Sequence, residues 1–174
     1  HALHAQLAQG MDAHRAQSFD AAIAAYDAVL REQPGHAPTL HLRAAMQRDA
    51  GDARAAEDDF TAALAVAPRD ARARVALAQL ALAAHRAGDA RQVVETGLTL
   101  GAADAPMLRV LGHAALAQRD GATAVNAFAG AMAIEPFDAE THFNHGVALQ
   151  MLRYLGDAAR AYQRALDIAP SLID

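Results

Sequence analysis

Prolines recur through this chain at one fixed spacing. Four of them fall in step at intervals of 34 residues, with an alanine at the one missing position: Pro34, Pro68, Ala102, Pro136 and Pro170. A fixed period of this length is typical of a chain in which one supersecondary unit is repeated and stacks on its neighbours. The period constrains the fold more than any single motif does. It also favours an extended binding surface over an enclosed catalytic pocket.

Three other positions of each repeat have a constant character. The twentieth is always alanine: Ala22, Ala56, Ala90, Ala124 and Ala158. The residue four later is large: Tyr26, Phe60, Val94, Phe128 and Tyr162. The eighth is small: Gly10, Ala44, Ala78, Gly112 and Gly146. Such spacings place residues on one stripe of an α-helix, and small residues facing bulky ones let two helices approach closely.

The prolines indicate where each repeat ends. Proline lacks a backbone donor and disfavours α conformation in the residue before it, so it stops the second helix of the repeat. Each repeat is therefore predicted to form two antiparallel helices. The expected helix pairs are 3–16 with 19–32, 37–49 with 53–65, 71–86 with 89–99, 105–118 with 121–133, and 139–152 with 155–168.

This pattern resembles the tetratricopeptide repeat family over nearly the whole chain. The last repeat, with Phe143-Asn144-His145-Gly146 and Gly156-Asp157-Ala158, is the closest match. The resemblance implies an all-α fold, a right-handed α-solenoid of antiparallel helix pairs, in a bacterial-type array. We expect a single domain over residues 1–174, with repeats 3–36, 37–70, 71–104, 105–138 and 139–172. One departure is the fourth position, where the family often has a large aromatic: Gln6, Leu40, Arg74, Leu108 and His142.

Composition excludes several classes of function. The formal net charge is −5 and no basic run is present, which argues against a nucleic-acid footprint. The absence of cysteine excludes disulfides, thiolate metal sites and cysteine nucleophiles. No apolar run approaches the ~18 residues of a membrane span. The chain begins at His1 and not at methionine, so we expect a fragment of a longer protein. No signal peptide is visible, and a cytoplasmic location is favoured.

The family resemblance implies that the first helix of each repeat lines a concave groove. The residues that map to this groove are Met11, His14, Arg15, His41, Arg48, Val75, Gln79, Arg109, His113, Phe143, Asn144 and Val147. Apolar side chains mixed with arginines suit an extended or helical peptide, and arginine forks favour carboxylates. We therefore expect a peptide partner, with anionic groups gripped by Arg48 and Arg109. A solvated polar face without a ligand is the alternative.

Three weaker signals have simpler interpretations. Asn144 matches one rung of the asparagine ladder found in arrays attached to protein O-linked sugar transferases, but it also fits ordinary polar surface. His142 and His145 are spaced as two metal ligands on one helix, yet a site needs more ligands, so two half-buried histidines are favoured. The run Glu57-Asp58-Asp59 points around a helix and is interpreted as a solvated acidic face. We expect no catalytic residue, metal or cofactor.

Three functions remain open. The first is a non-enzymatic interaction module that binds a partner segment in the groove, as a scaffold or assembly factor. The second is a substrate-presenting array of a larger enzyme, similar to protein O-glycosyltransferases or sulfotransferases. The third is self-assembly through exposed end faces, since Ser171-Leu172-Ile173-Asp174 resembles the start of another first helix and no polar capping element follows.

Overall fold

The computed structural model describes residues 2–173, apart from the side chains of Ala2, Leu172 and Ile173. The described chain contains ten α-helices, a short 3-10 turn at Pro170–Ile173 and no strand. The helices are α1 Ala2–Arg15, α2 Phe19–Glu32, α3 Ala37–Asp49, α4 Ala53–Val66, α5 Ala71–Ala83, α6 Ala87–Thr99, α7 Ala105–Ala117, α8 Gly121–Ile134, α9 Ala139–Met151 and α10 Leu155–Ile168. The all-α prediction is confirmed, and every predicted helix is present with its ends shifted by three residues at most.

The chain divides into two compact units, unit 1 at His1–Leu80 and unit 2 at Ala81–Asp174. Within unit 1, α1 packs on α2, α2 on α3, and α3 on α4. Within unit 2, each helix from α6 to α10 packs on the next, and α7 also contacts α9. First helices of consecutive repeats therefore lie side by side in unit 2.

Small residues against large ones form the contact inside each helix pair. Tyr26, Phe60 and Phe128 on the second helices are completely buried. A Cβ atom added to Gly112 of α7 would lie 2.5 Å from the Phe128 ring, and one added to Gly10 of α1 would lie 2.6 Å from the Tyr26 ring. The eighth position is small because the aromatic side chain of the second helix occupies the space beside it.

The turn inside each pair uses one left-handed residue at a 34-residue interval. These residues have positive φ: Gln17, Gly51, His85, Arg119 and Arg153. Each turn also closes with a hydrogen bond that the residue after the left-handed one donates back to the first helix, as when the Asp52 amide reaches the Gln47 carbonyl at 2.8 Å. This arrangement satisfies carbonyls that the helix end leaves free, and it ends α5, α7 and α9 before the predicted boundaries.

A partly buried ion-pair network joins three helices of unit 1. Arg43 of α3 donates from Nε and Nη2 to the carboxylate of Asp59 on α4, at 2.6 and 2.7 Å, and from Nη1 to Asp27 of α2 at 2.6 Å. These hydrogen bonds, led by those to Asp59, raise the pKa of Arg43. The prediction of a solvated acidic face is wrong for Asp59, which is buried, although Asp58 is exposed.

The fourth position of two repeats fixes the proline turn before it. Arg74 donates from Nη2 to the Pro68 carbonyl at 2.6 Å, and the Nε2 atom of His142 lies 2.9 Å from the Pro136 carbonyl. These side chains stand where the family often has a large aromatic. They stabilise the turn by satisfying a carbonyl that proline-terminated helices leave without an amide partner.

Candidate functional site

First helices in unit 1 present a mixed apolar and polar face. Met11 has 41% of its surface exposed, and Arg15, Arg48 and Gln79 are also exposed. The other predicted groove residues of this unit are half-buried: His14, His41 and Val75.

His41 of α3 is a half-buried residue of this face. Its ring meets the Phe60 ring edge-on, with centroids 5.3 Å apart, and its Nδ1 atom lies 3.8 Å from Oδ2 of Asp70. Within the described chain, that buried Nδ1 atom has no hydrogen bond. Burial lowers the pKa of His41, and Arg72 and Arg48 lower it further against the opposing charge of Asp70. The imidazole is therefore neutral near pH 7.

An open groove of about 610 Å³ lies beside His41. Its lining comes from the start of α3 and from the turn and helix start that follow α4: Ala37, Pro38, His41, Leu42, Ala67, Asp70 and Arg72. The lining combines apolar side chains with the neutral imidazole of His41, the carboxylate of Asp70 and the guanidinium of Arg72. A second open groove, of about 470 Å³, is lined by His14, Arg15, Gln17, Phe19 and Asp49.

The arginines of unit 1 differ in how far nearby acids neutralise them. Arg15 donates to Asp12 at 2.8 Å, and Arg48 pairs with Asp49 at 2.9 Å. In the part of the chain that the structure describes, neither a hydrogen bond nor an ion pair reaches the exposed Arg72. Arg72 is not among the groove residues predicted from the sequence, because charge pairing between helices is not visible in the repeat pattern.

In unit 2, α7 contributes Arg109 and His113. The Nη1 atom of Arg109 donates to Glu135 at 2.5 Å and lies 3.5 Å from Asp138. Because two carboxylates already neutralise Arg109, the structure gives no reason for it to grip an anionic ligand. His113 packs edge-on against Phe128 at 5.4 Å.

The pKa of His113 is lowered, chiefly by burial. The charge of Arg109 lowers it further, and the charge of Glu140 opposes both. His113 therefore contributes a neutral hydrogen-bonding ring, as His41 does in unit 1.

The predicted residues of α9 extend the face of unit 2. Phe143 has 36% of its surface exposed and tilts against Tyr162 at 5.4 Å, and the Tyr162 hydroxyl donates to Gln150 at 2.7 Å. Asn144 and Val147 are half-buried. The structure thus places the predicted groove residues of each unit on its first helices.

The paired histidines of α9 have separate surroundings. His142 binds the Pro136 carbonyl, and the pKa of His145 is lowered, first by burial. Among the described residues no group of three or more histidine, aspartate or glutamate side chains could hold a metal ion. Over the same residues, no helix is both long enough and apolar enough to cross a bilayer.

Comparison with known families decides what these helix pairs are. Two models described as tetratricopeptide repeat match residues 47–113 and 109–173, and together they cover most of the chain. The chain belongs to the tetratricopeptide repeat family. No curated protein sequence gives a significant match. Membership of this family supports the assignment of the chain as a protein-interaction module.

Solved structures agree with this assignment. MamA from Desulfovibrio magneticus RS-1 is 17% identical, with a TM-score of 0.86 over 99% of this chain and 98% of that one. YrrB, described as a TPR protein with an unusual peptide-binding site, is 17% identical with a TM-score of 0.81 over 97% and 87% of the two chains. PilW, described as a type IV pilus biogenesis factor, is 16% identical with a TM-score of 0.80 over 98% and 79%. At these identities the similarity shows the fold alone.

Proposed function

We propose that this protein is a non-enzymatic interaction module that binds a peptide segment of a partner protein on the faces of its first helices. The carrying observation is the make-up of those faces. In unit 1 the first helices carry the exposed apolar side chain of Met11 and the neutral imidazole of His41. In unit 2 they carry the exposed Phe143 and the neutral imidazole of His113. Apolar contact area with a few convergent polar groups is what a peptide site requires.

Anionic preference belongs to unit 1 in this proposal. Arg72 brings a guanidinium without an ion pair among the described residues to the groove beside His41, whereas Arg109 in unit 2 is held by Glu135 and Asp138. A guanidinium that is not already paired can form bidentate bonds to a carboxylate of the ligand. We therefore propose that an acidic residue of the peptide binds in the unit 1 groove.

A selected peptide tests this function. Random 12-residue peptides are selected on the immobilised protein, and the affinity of the selected peptide is measured by fluorescence polarisation. Met11→Glu, Gln79→Glu and Phe143→Glu change exposed positions of first helices. Thr61→Glu and Ala129→Glu make the same change at exposed positions of second helices and serve as matched controls.

We expect at least one of the first-helix variants to weaken binding about tenfold, because a charge placed in an apolar contact costs on the order of 1–3 kcal/mol. Both controls are expected to bind like the wild type. Loss of binding only in Thr61→Glu or Ala129→Glu would move the site to the second helices and overturn the proposal.

A further inference from the structure

An exposed apolar patch of unit 2 lies at the turn between α8 and α9. Phe137 has 73% of its surface exposed and Ile134 has 53%, and Pro136 between them is also exposed. An open groove of about 610 Å³ begins at this turn and is lined by Arg109, Glu135, Pro136, Phe137, Asp138 and Glu140. We call Ile134, Pro136, Phe137 and Glu140 the Phe137 patch.

Carboxylates surround this patch. Glu135 and Asp138 share the single charge of Arg109, so these three groups together keep a net negative charge. Glu140 is exposed at the start of α9, and no hydrogen bond or ion pair within the described residues involves it. Arg164 lies with its guanidinium 5.8 Å from the centroid of Phe137 and covers one face of the ring. The Phe137 ring therefore already accepts a cation on one face. Arg109, Glu135, Asp138 and Glu140 together give the groove beside it a net negative charge.

Unit 1 carries an equivalent groove whose lining is less negative than that of unit 2. Two repeats earlier, at a shift of 68 residues, the turn after α4 has Arg69 where unit 2 has Phe137, and the groove beside His41 has Arg72 where unit 2 has Glu140. Pro68 and Asp70 match Pro136 and Asp138. The turn is thus repeated, while four positions of the groove differ. Phe137 and Glu140 replace the basic Arg69 and Arg72, and Arg109 and Glu135 replace His41 and Ala67.

We propose that the Phe137 patch docks a partner segment in which an apolar side chain stands next to a basic one. This inference rests on the proposed function, peptide binding, and specifies the chemistry of the peptide that unit 2 would bind. The apolar side chain covers the exposed ring of Phe137 and the side chain of Ile134. The basic side chain pairs with Glu140, and its planar group can stack on Phe137 in the way that Arg164 does. Charge complementarity excludes an acidic segment here.

Two synthetic peptides of matched size test the inference: Ac-Gly-Leu-Arg-Leu-Gly-amide and its glutamate twin, Ac-Gly-Leu-Glu-Leu-Gly-amide. Each is titrated into the whole protein at millimolar concentration while backbone amide NMR signals are recorded. We expect the arginine peptide to shift the amides of Phe137 and Glu140. We expect the glutamate peptide to bind there about fivefold more weakly, since one exposed ion pair contributes up to about 1 kcal/mol.

The double variant Phe137→Arg with Glu140→Arg gives this site the unit 1 residues at the two positions that the proposal uses. Both positions are exposed, so the variant is expected to fold, which its amide spectrum checks. Its affinity for the arginine peptide is expected to fall about tenfold or more, because it loses one ion pair and the apolar contact together. The matched control Arg153→Ala changes an exposed cation of unit 2 away from the patch and leaves the affinity unchanged.

Equal affinity of the two peptides for the patch, or unchanged binding by the double variant, would overturn this inference. Shifts confined to the first-helix faces away from the Phe137 patch would also overturn it, while the proposed function would stand. Failure of the proposed function has a separate signature, because it is read from the selected 12-residue peptide and the first-helix variants.

Discussion

The left-handed turn residues are single positions that carry backbone strain. Arg119 has a φ of 61°, in a region where a side chain with a Cβ atom costs roughly 1–2 kcal/mol and glycine costs nothing. The repeat at Gly51 already has a glycine at the equivalent position. The other four repeats keep longer side chains there, so the strain recurs at a fixed interval.

Arg119→Gly is therefore expected to stabilise the protein by about 0.5 kcal/mol, the relief of strain less the larger entropy of glycine in the unfolded chain. The measurement is the midpoint of urea unfolding. Ala117→Gly, at the last residue of α7 in the same turn, serves as the control and is expected to destabilise by up to about 1 kcal/mol. A lower midpoint for Arg119→Gly would show that the turn does not hold this residue in the left-handed region.

Glycine at the eighth position shows the opposite constraint. Gly112→Ala places a Cβ atom 2.5 Å from the completely buried Phe128 ring, which has no room to move. We expect a net loss of about 1–2 kcal/mol, since overpacking outweighs the gain in helix propensity. Gly156→Ala in α10 meets nothing within 4 Å and is expected to stabilise by about 0.5–1 kcal/mol. Equal midpoints for the two variants in thermal unfolding would mean that the helix pair is packed less closely than described.

Helices of unit 1 are joined by a charge network as well as by apolar packing. The side chain of Arg43 is 22% exposed and that of Asp59 only 9%, so removal of Arg43 leaves a carboxylate buried without its cation. Arg43→Met is expected to cost about 2–4 kcal/mol, below the full cost of a completely buried pair because Arg43 is partly exposed.

The double variant Arg43→Met with Asp59→Asn is expected to recover at least half of that loss, because no buried charge remains. Arg54→Met, at an exposed position of α4, is the control and is expected to stay within about 0.5 kcal/mol of the wild type. Urea unfolding measures all three. A double variant less stable than Arg43→Met alone would contradict the assignment of the cost to Asp59.

Helix packing also sets a pH dependence. Burial between α7 and α8 lowers the pKa of His113, so below about pH 6.5 the unfolded chain binds a proton that the folded chain does not. Stability is therefore complete above the unfolded pKa and falls as the pH drops toward the folded one.

We expect the melting temperature of His113→Gln to decline less than that of the wild type between about pH 7.5 and pH 5.5. His85→Gln is the control: His85 is exposed, and the equivalent Gln17 already adopts the left-handed turn conformation. An identical decline in the wild type and His113→Gln would show that His113 is not held neutral in the fold.

Over the molecule as a whole, the helices were predictable because the 34-residue period fixes both the buried stripe and the helix ends. The eighth and twentieth positions were correctly identified as packing positions. The charge pairs were not, because they join residues on different helices. Asp27, Arg43 and Asp59 do carry a signal in retrospect, since opposite charges follow one another at equal steps of 16 residues.

The predicted binding residues are located on the first helices, but their chemistry depends on neighbours that the repeat pattern does not reveal. We expected Arg109 to bind anionic groups of a ligand. The structure instead pairs it with Glu135, which lies 26 residues later in the chain and directly follows the end of α8. The self-assembly hypothesis named Leu172 and Ile173, whose side chains lie outside the described residues. Peptide binding and the end-face hypothesis both remain to be tested by experiment.

The measurement to make first is the amide NMR footprint of the selected 12-residue peptide on the whole protein. Binding on the first-helix faces predicts shifts concentrated at α3 and α5 in unit 1 or at α7 and α9 in unit 2, with the signals of exposed second-helix residues such as Thr61 and Ala129 unchanged. A footprint confined to the exposed sides of α2, α4, α8 and α10 would contradict this assignment.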